Sequence, residues 1–276
     1  MNLKIAILGT RGIPNYYGGY EQVASYLAPG LVEKGHQVTV YNSHNHPYSD
    51  DSWNGVEIVH CTDPEKKIGT AGQFIYDWNC IRHARKCNYD VILALGYTSS
   101  SVWGRLYPKQ SQLISNMDGL EWKRTKYSPP VRRFLRYAER LAIKYSGYYI
   151  ADSIIIRNYL YEKYGVNAQY IPYGADIPPV PGVDVLEPLE LAAKPYYLLI
   201  ARMEPENNIE MILDGYCLSG SLHPLLLPAT RQQALEKRCW KNTRHILLSA
   251  LSALVLTSSY WKLCGIIACS IFMGIV

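Results

Sequence analysis

The stretch 9–21, GTRGIPNYYGGYE, is where the residue types and spacing could do chemistry. It follows Lys4-Ile5-Ala6-Ile7-Leu8, a short apolar run bounded by glycine and read as a buried parallel strand. Beyond it, Val23, Ala24, Leu27, Leu31 and Val32 fall at approximate helical spacing up to Gly35. A strand, a glycine-rich loop and a helix together bring backbone N–H groups and a positive helix end against a phosphate or a sugar. Gly18 and Gly19 let a ligand reach the main chain where a Cβ would collide with it. Tyr16, Tyr17 and Tyr20 offer flat faces suited to a polar ligand such as a sugar. A turn without a ligand is the alternative, although about five residues would suffice for one. Two other phosphate loops are excluded. No G-x-G-x-x-G follows the strand, and no Gly-Lys-Ser/Thr closes the loop.

The elements that must position this loop repeat a strand–helix rhythm. Residues 35–41 read as a second strand, so the first forty residues form a βαβ unit and the sheet is parallel. Further strands are expected at 55–60, 89–96, 112–116, 147–153 and 168–172, with helices at 70–86 and 130–146 and one ending at Tyr164. In open α/β sheets ligands sit beyond the carboxyl ends of the strands. The stretches 9–21, 96–101 and 118–124 all fall at such ends and are expected to share one rim. The helix at 130–146 carries Arg132, Arg133, Arg136, Arg140 and Lys144 on a basic face, with Lys123, Arg124 and Lys126 just upstream. That face reads either as solvated or as a surface for anionic lipid headgroups or a lipid diphosphate.

The 276 residues are 48% hydrophobic and 18% charged, which fits a globular chain with a sizeable core. Tyrosine outnumbers phenylalanine 24 to 3, which favours surfaces that touch carbohydrate, or interfaces, over a purely aliphatic core. A net charge of +5 suits an anionic ligand or membrane surface and is too small to indicate nucleic acid. The seven cysteines are scattered without a C-x-x-C pair, which points to a reducing cytosol rather than a zinc site or disulfide framework. The histidines at 36, 44, 46 and 60 lack metal-ligand spacing, and no metal is expected. With a strand beginning at Leu3, no signal peptide is expected.

Five motifs in order make the chain resemble the GT-B glycosyltransferases (family 4-like), in the rhamnosyltransferase-type branch that builds bacterial surface polysaccharides. They are GTRGIP…GGYE, NMDGLEWKR (116–124), IADS (150–153), IPYGAD (171–176) and ARMEPENNI (201–209). The resemblance implies an α/β fold: a Rossmann-like, parallel-sheet acceptor domain at 1–176, a proline-rich linker at 177–194, and at 195–221 the start of a second Rossmann-like domain for a nucleotide sugar. It implies transfer of a sugar, rhamnose or another deoxyhexose, from a nucleotide diphosphate sugar to a lipid-linked saccharide at the cytoplasmic face of the plasma membrane. No separate cofactor is required. Gly18, Gly19, Tyr20 and Glu21 would then face the substrate, with Arg202 and Asn207 on the donor side and Arg202 paired with the leaving diphosphate. Relatives often place a lysine where this chain has Asn207-Asn208. Transfer to an alcohol needs a group to take the hydroxyl proton. Asp118 is the candidate base and Glu121 the second choice, with an Asx turn at Asp118-Gly119 as the structural alternative.

The text changes character past Ser221, where a basic segment precedes a mostly apolar stretch from Ile246 to Val276. It reads either as a membrane anchor or as translation in a shifted frame. Lys262, near the middle of the run, favours the second. Little or no transferase activity is expected of the chain as written. The alternative function is a non-catalytic, membrane-tethered sugar- or partner-binding module. A nicotinamide-dependent sugar-modifying enzyme is disfavoured by the missing dinucleotide fingerprint.

Overall fold

The computed structural model describes residues 2–16, 18–117, 119–124, 126–175, 191, 195–201 and 207–226. The chain divides into two compact units, Met1–Tyr173 and Gly174–Val276.

The first unit is built on a sheet of eight strands: β1 (Lys4–Leu8), β2 (Gln37–Ser43), β3 (Ser52–Trp53), β4 (Val56–Cys61), β5 (Val91–Leu95), β6 (Gln112–Asn116), β7 (Tyr148–Ala151) and β8 (Gln169–Tyr170). Their spatial order is β3-β4-β2-β1-β5-β6-β7-β8, and every neighbouring pair is parallel except β3 with β4. The expected α/β architecture is therefore present, and the strands expected from apolar runs are all found. β3 is an addition: a two-residue strand folded back on β4 through Asn54-Gly55, both at positive φ.

Strand alternation divides the core between the two faces of the sheet. Ile5 and Ile7 of β1 pack with Leu93 and Leu95 of β5 and with Ala24 and Ala28 of α1 (Gly19–Glu33). Ala6 and Leu8 point the other way, onto Tyr76, Cys80 and Ile81 of α3 (Ala71–Ala84), which follows a one-turn α2 (Glu65–Ile68). Fully buried side chains such as Ile7 each contribute about 1.5–3 kcal/mol of apolar burial. The helix expected between β6 and β7 is α4 (Pro129–Tyr145), begun by prolines whose missing N–H groups no helix bond needs. Leu135, Ala138 and Ala142 bury its apolar face, whereas Val131, in its first turn, is exposed. Arg132, expected on the basic face, is half-buried and donates from Nε to the Tyr127 carbonyl at 2.8 Å. α5 (Ile154–Tyr164) starts at Ser153, whose hydroxyl accepts from the Ile155 N–H, and ends at left-handed Gly165.

In the second unit, β9 (Tyr197–Leu198) pairs in parallel with β10 (Leu225–Leu226), and α6 (Ile209–Leu218) lies between them in sequence. Regular structure thus continues past Ser221, where the sequence reading ended it, because Leu225 and Leu226 complete a βαβ unit. The linker at 177–194, Leu191 aside, and the stretch 227–276 lie outside the described residues.

Candidate functional site at the carboxyl rim

From β1 the chain steps outward through β2 to β4, then returns to the other side of β1 as β5. The order of strands reverses between β1 and β5, which is where open α/β sheets form a crevice beyond the strand ends. The loop 9–18 leaves β1 at this point and the loop 96–101 leaves β5 beside it. Gly9 is obligatory there: at φ +88°, a Cβ would stand 2.1 Å from the Leu95 carbonyl oxygen.

The loop is held in shape by neighbouring side chains that bond to its backbone and by glycines in close contact. Asn42, fully buried at the end of β2, accepts from the Ile13 N–H at 3.0 Å and donates to the Ile13 carbonyl at 2.8 Å. A Cβ on Gly12 would meet that same amide at 2.5 Å. The Tyr76 hydroxyl donates to the carbonyls of Thr10 (2.9 Å) and Tyr41 (2.8 Å), tying the loop to α3. The Arg11 guanidinium pairs with Glu65 at 2.9 Å on the outer side.

Glu21 is 5% exposed and closes the loop on itself, accepting from the Arg11 N–H at 2.6 Å. Burial pushes its carboxyl above the ordinary range, opposed by that bond, by its own N–H and by the Arg11 charge. The two expected glycines differ. Gly18, at φ +119°, leaves no room for a Cβ, which would lie 2.4 Å from Glu21 Oε2, whereas a Cβ on Gly19 would meet nothing within 4 Å. Gly18 is therefore demanded by the loop, and Gly19 opens space in front of α1, whose first turn has no side-chain cap. Tyr20 covers Gly96 of the neighbouring loop, where a Cβ would be 3.1 Å from its ring. Tyr16 is 72% exposed, and Tyr17 lies outside the described residues.

The third stretch meets the loop after β5. Tyr97, buried, donates from its hydroxyl to the Gly119 carbonyl at 3.4 Å, linking the loop after β5 to the one after β6. Asp118 lies outside the described residues. Glu121 is engaged: it pairs with Arg124 at 2.9 Å and accepts from the Tyr127 hydroxyl at 3.3 Å. Two polar atoms at this rim are buried without a partner among the described residues, Ser101 Oγ and Asn116 Oδ1. Buried groups of this kind are normally satisfied by a ligand or water. Asn116 closes β6 and uses its amide N–H to reach Tyr173 Oη at 2.8 Å. The sequence reading assigned neither residue a role, and the only signal was their position at strand ends.

A second unassigned group organises the 119–124 segment. Glu139 of α4 is 1% exposed and accepts from Trp122 Nε1 (3.0 Å), Tyr159 Oη (2.8 Å), Lys163 Nζ (2.8 Å) and Tyr164 Oη (2.5 Å). Although burial alone would raise its pKa, the bonds from Lys163 and the two tyrosines hold its carboxyl below the ordinary value. Trp122 is also covered by the Arg136 guanidinium, 4.6 Å from the ring centroid. Nearby Asp77, on α3, accepts from Ser99 Oγ at 2.5 Å; burial pushes its carboxyl up to about 7, partly offset by that bond and reinforced by the Asp63 charge.

Of the two residues expected to face a donor, Asn207 is half-buried just before α6 and Arg202 lies outside the described residues. Among the described residues no group of three or more His, Cys, Asp or Glu side chains could hold a metal ion, and no helix is long and apolar enough to cross a membrane.

No curated protein sequence matches this chain. The fold matches a protein described as UDP-N-acetylglucosamine 2-epimerase from Listeria monocytogenes, with TM-score 0.53, 14% identity, and coverage of 91% of this chain and 67% of that one. It also matches the catalytic domain of starch synthase IV from Arabidopsis thaliana, solved with ADP and acarbose, with TM-score 0.59, 12% identity, and coverage of 85% and 70%. At such identities the likeness establishes the shared GT-B, Rossmann-like fold. The profile of the family described as Domain of unknown function (DUF1972) matches residues 2–176, the whole β1–β8 sheet with its rim, and the chain belongs to that family.

Proposed function

We propose that the first unit is the acceptor half of a glycosyltransferase. The reaction is transfer of a sugar, rhamnose or another deoxyhexose, from a nucleotide diphosphate sugar to a lipid-linked saccharide in surface polysaccharide synthesis. The observation that carries this reading is the rim: three loops converge at the strand-order reversal, with open space at Gly19 and two unpartnered buried polar atoms nearby. Such a crevice suits a polyhydroxylated ligand approached by backbone and small polar side chains. The starch synthase neighbour was solved with a nucleotide and a saccharide on the same fold, which is consistent with this substrate class.

Asp118 takes the role of general base in this proposal. Glu121, already paired with Arg124, is the weaker candidate. Arg202 and Asn207 take the donor diphosphate and sugar. In this proposal the exposed Arg133, Arg136, Arg140 and Lys144 of α4 rest on an anionic membrane surface at the cytoplasmic face. No cofactor or metal is invoked, because arginine and helix N-termini can meet phosphate charge. In the proposal this chain alone turns over little, because its sequence past Ser221 departs from the pattern expected of a nucleotide-sugar domain. A binding module without catalysis is the second reading, favoured by the engagement of Glu121 with Arg124 and Tyr127.

The test is titration of the purified chain with lipid-linked saccharides and, separately, with nucleotide diphosphate sugars. Saccharide binding that is lost in Asn116→Ala supports the acceptor assignment. A folded protein that binds neither ligand class overturns it. In a chain with a complete donor half, Asp118→Asn is expected to abolish turnover and keep acceptor binding; retained turnover would move the base elsewhere.

A further inference from the structure

Opposite the rim, at the amino ends of β5 and β6, lies a cleft of about 270 Å³ lined by Arg85, Arg105, Tyr107, Pro108, Lys109 and Gln110. β5 has five residues, which puts the cleft about 16 Å from the rim along the strands. Three cations line it, and none of them forms a salt bridge to a carboxylate among the described residues. Two are anchored by the wall: Arg85 donates from Nη1 to the Leu106 carbonyl at 3.4 Å, and Arg105 from Nε to the Tyr145 hydroxyl at 3.0 Å. Each guanidinium uses one N–H in this way and keeps the others for a ligand. Tyr107 and Pro108 are buried, giving the cleft a fixed floor, whereas the three cations and Gln110 are exposed.

Three exposed like charges lining one cleft give it a positive potential that attracts an anion. The choice of ligand follows from the lining, which offers two guanidinium groups and an ammonium. Arginine pairs bind tetrahedral oxyanions through paired N–H bonds, with lysine as an added point charge.

We infer that this cleft is a phosphate-binding site, separate from the rim, that takes a single phosphate group, either free or borne on a lipid headgroup. The source depends on access. Arg105 reaches the end of α4 through Tyr145, next to Lys144 of the exposed basic face, so a membrane lying along α4 would bring headgroups to the cleft.

The full chain is titrated with inorganic phosphate at constant ionic strength. In parallel it is sedimented with vesicles of phosphatidylcholine alone or with phosphatidylglycerol added. Three proteins are compared: wild type, the cleft variant Arg85→Gln/Arg105→Gln, and a charge-matched control on α2, Lys66→Gln/Lys67→Gln, exposed residues away from both the cleft and α4, with folding checked by circular dichroism. If the cleft variant misfolds, Lys109→Gln alone, an exposed residue, replaces it. Saturable phosphate binding that weakens about tenfold or more in the cleft variant and not in the control supports a free-phosphate site. Vesicle binding that requires phosphatidylglycerol, falls about tenfold in the cleft variant and persists in the control, without saturable inorganic phosphate binding, supports a headgroup site. Absence of both interactions, or equal strength in wild type and cleft variant, overturns the inference.

Discussion

Two loops meet at the same rim and are held by opposite means. The 9–18 loop is fixed by close contacts at its glycines: Gly9 against the Leu95 carbonyl, Gly12 against Asn42, and Gly18 against Glu21. The 119–124 segment is fixed by side-chain charge, through Trp122 bonded to buried Glu139, itself surrounded by Lys163, Tyr159 and Tyr164. The first arrangement tolerates almost no added volume at its glycines. The second depends on a carboxyl held below its ordinary range by the donors around it. A site assembled from both can keep one wall rigid while the other responds to its electrostatic surroundings.

The largest effect expected from this contrast is that of Gly9→Ala. Its Cβ would need to occupy space 2.1 Å from a backbone oxygen at a left-handed φ, and a loss of about 4 kcal/mol or more is expected in urea unfolding. A loss below about 1 kcal/mol would show that the loop moves freely. Glu139→Ala should cost about 3 kcal/mol, because it leaves Lys163 and three other donors without their shared acceptor. It should also shift the fluorescence of Trp122, which Gly9→Ala should leave alone unless the whole unit unfolds. An unchanged spectrum would remove Glu139 from its place as anchor of the segment.

Acid and base should separate two buried carboxyls. The folded-state pKa of Glu139 is depressed, so its contribution is present above the unfolded value near 4.5 and is lost as pH falls through the folded value. Asp77 has the opposite sign. Its folded value is raised from 3.8 to about 7, so its contribution is full below 3.8 and is lost as pH rises toward 7, by at most about 1.4 kcal/mol per pH unit. Chemical denaturation across this range should therefore show a falling limb toward neutrality that Asp77→Asn abolishes. An unaltered profile in that variant would assign the limb to other groups.

The smallest effect concerns the glycine pair. Gly18→Ala should destabilise by about 2 kcal/mol, because a Cβ would press on Glu21 at φ +119°. Gly19→Ala meets nothing within 4 Å and should be neutral or stabilising by about 0.5–1 kcal/mol. If Gly19 opens the ligand's path, the same alanine should nevertheless weaken saccharide binding. Equal stability losses at 18 and 19 would erase the distinction.

The contrast also separates what was readable in the sequence from what was not. The loop from β1 to α1 is local: an apolar run, glycines and a helical stripe fall within thirty-five residues, so its fold and place at the rim could be read directly. The role of Glu21 could not, because a carboxylate beside a glycine pair looks the same whether it faces a ligand or, as here, folds back to the Arg11 N–H. Asn42 acts on Ile13 from twenty-nine residues away, and Glu139 gathers partners seventeen to twenty-five residues distant. No short-range pattern marks such pairs. Within α4, Glu139 sits among arginines and reads as one more surface charge until α5 is packed against it. The β9–β10 pairing was missed for a related reason: three leucines between prolines carry no periodicity, and only a parallel partner makes two of them a strand.

The short strands at both ends of the large sheet have a consequence for life at high concentration. β3 and β8 are two residues each, and β3 turns back antiparallel on its neighbour. A long, flat border of unpaired N–H and C=O groups would act as a template on which other chains could stack. Here the outermost strand on either side ends before it can guide more than a bond or two. The parallel centre, which is apolar and slow to assemble, is thus shielded at its borders from joining sheets of other molecules.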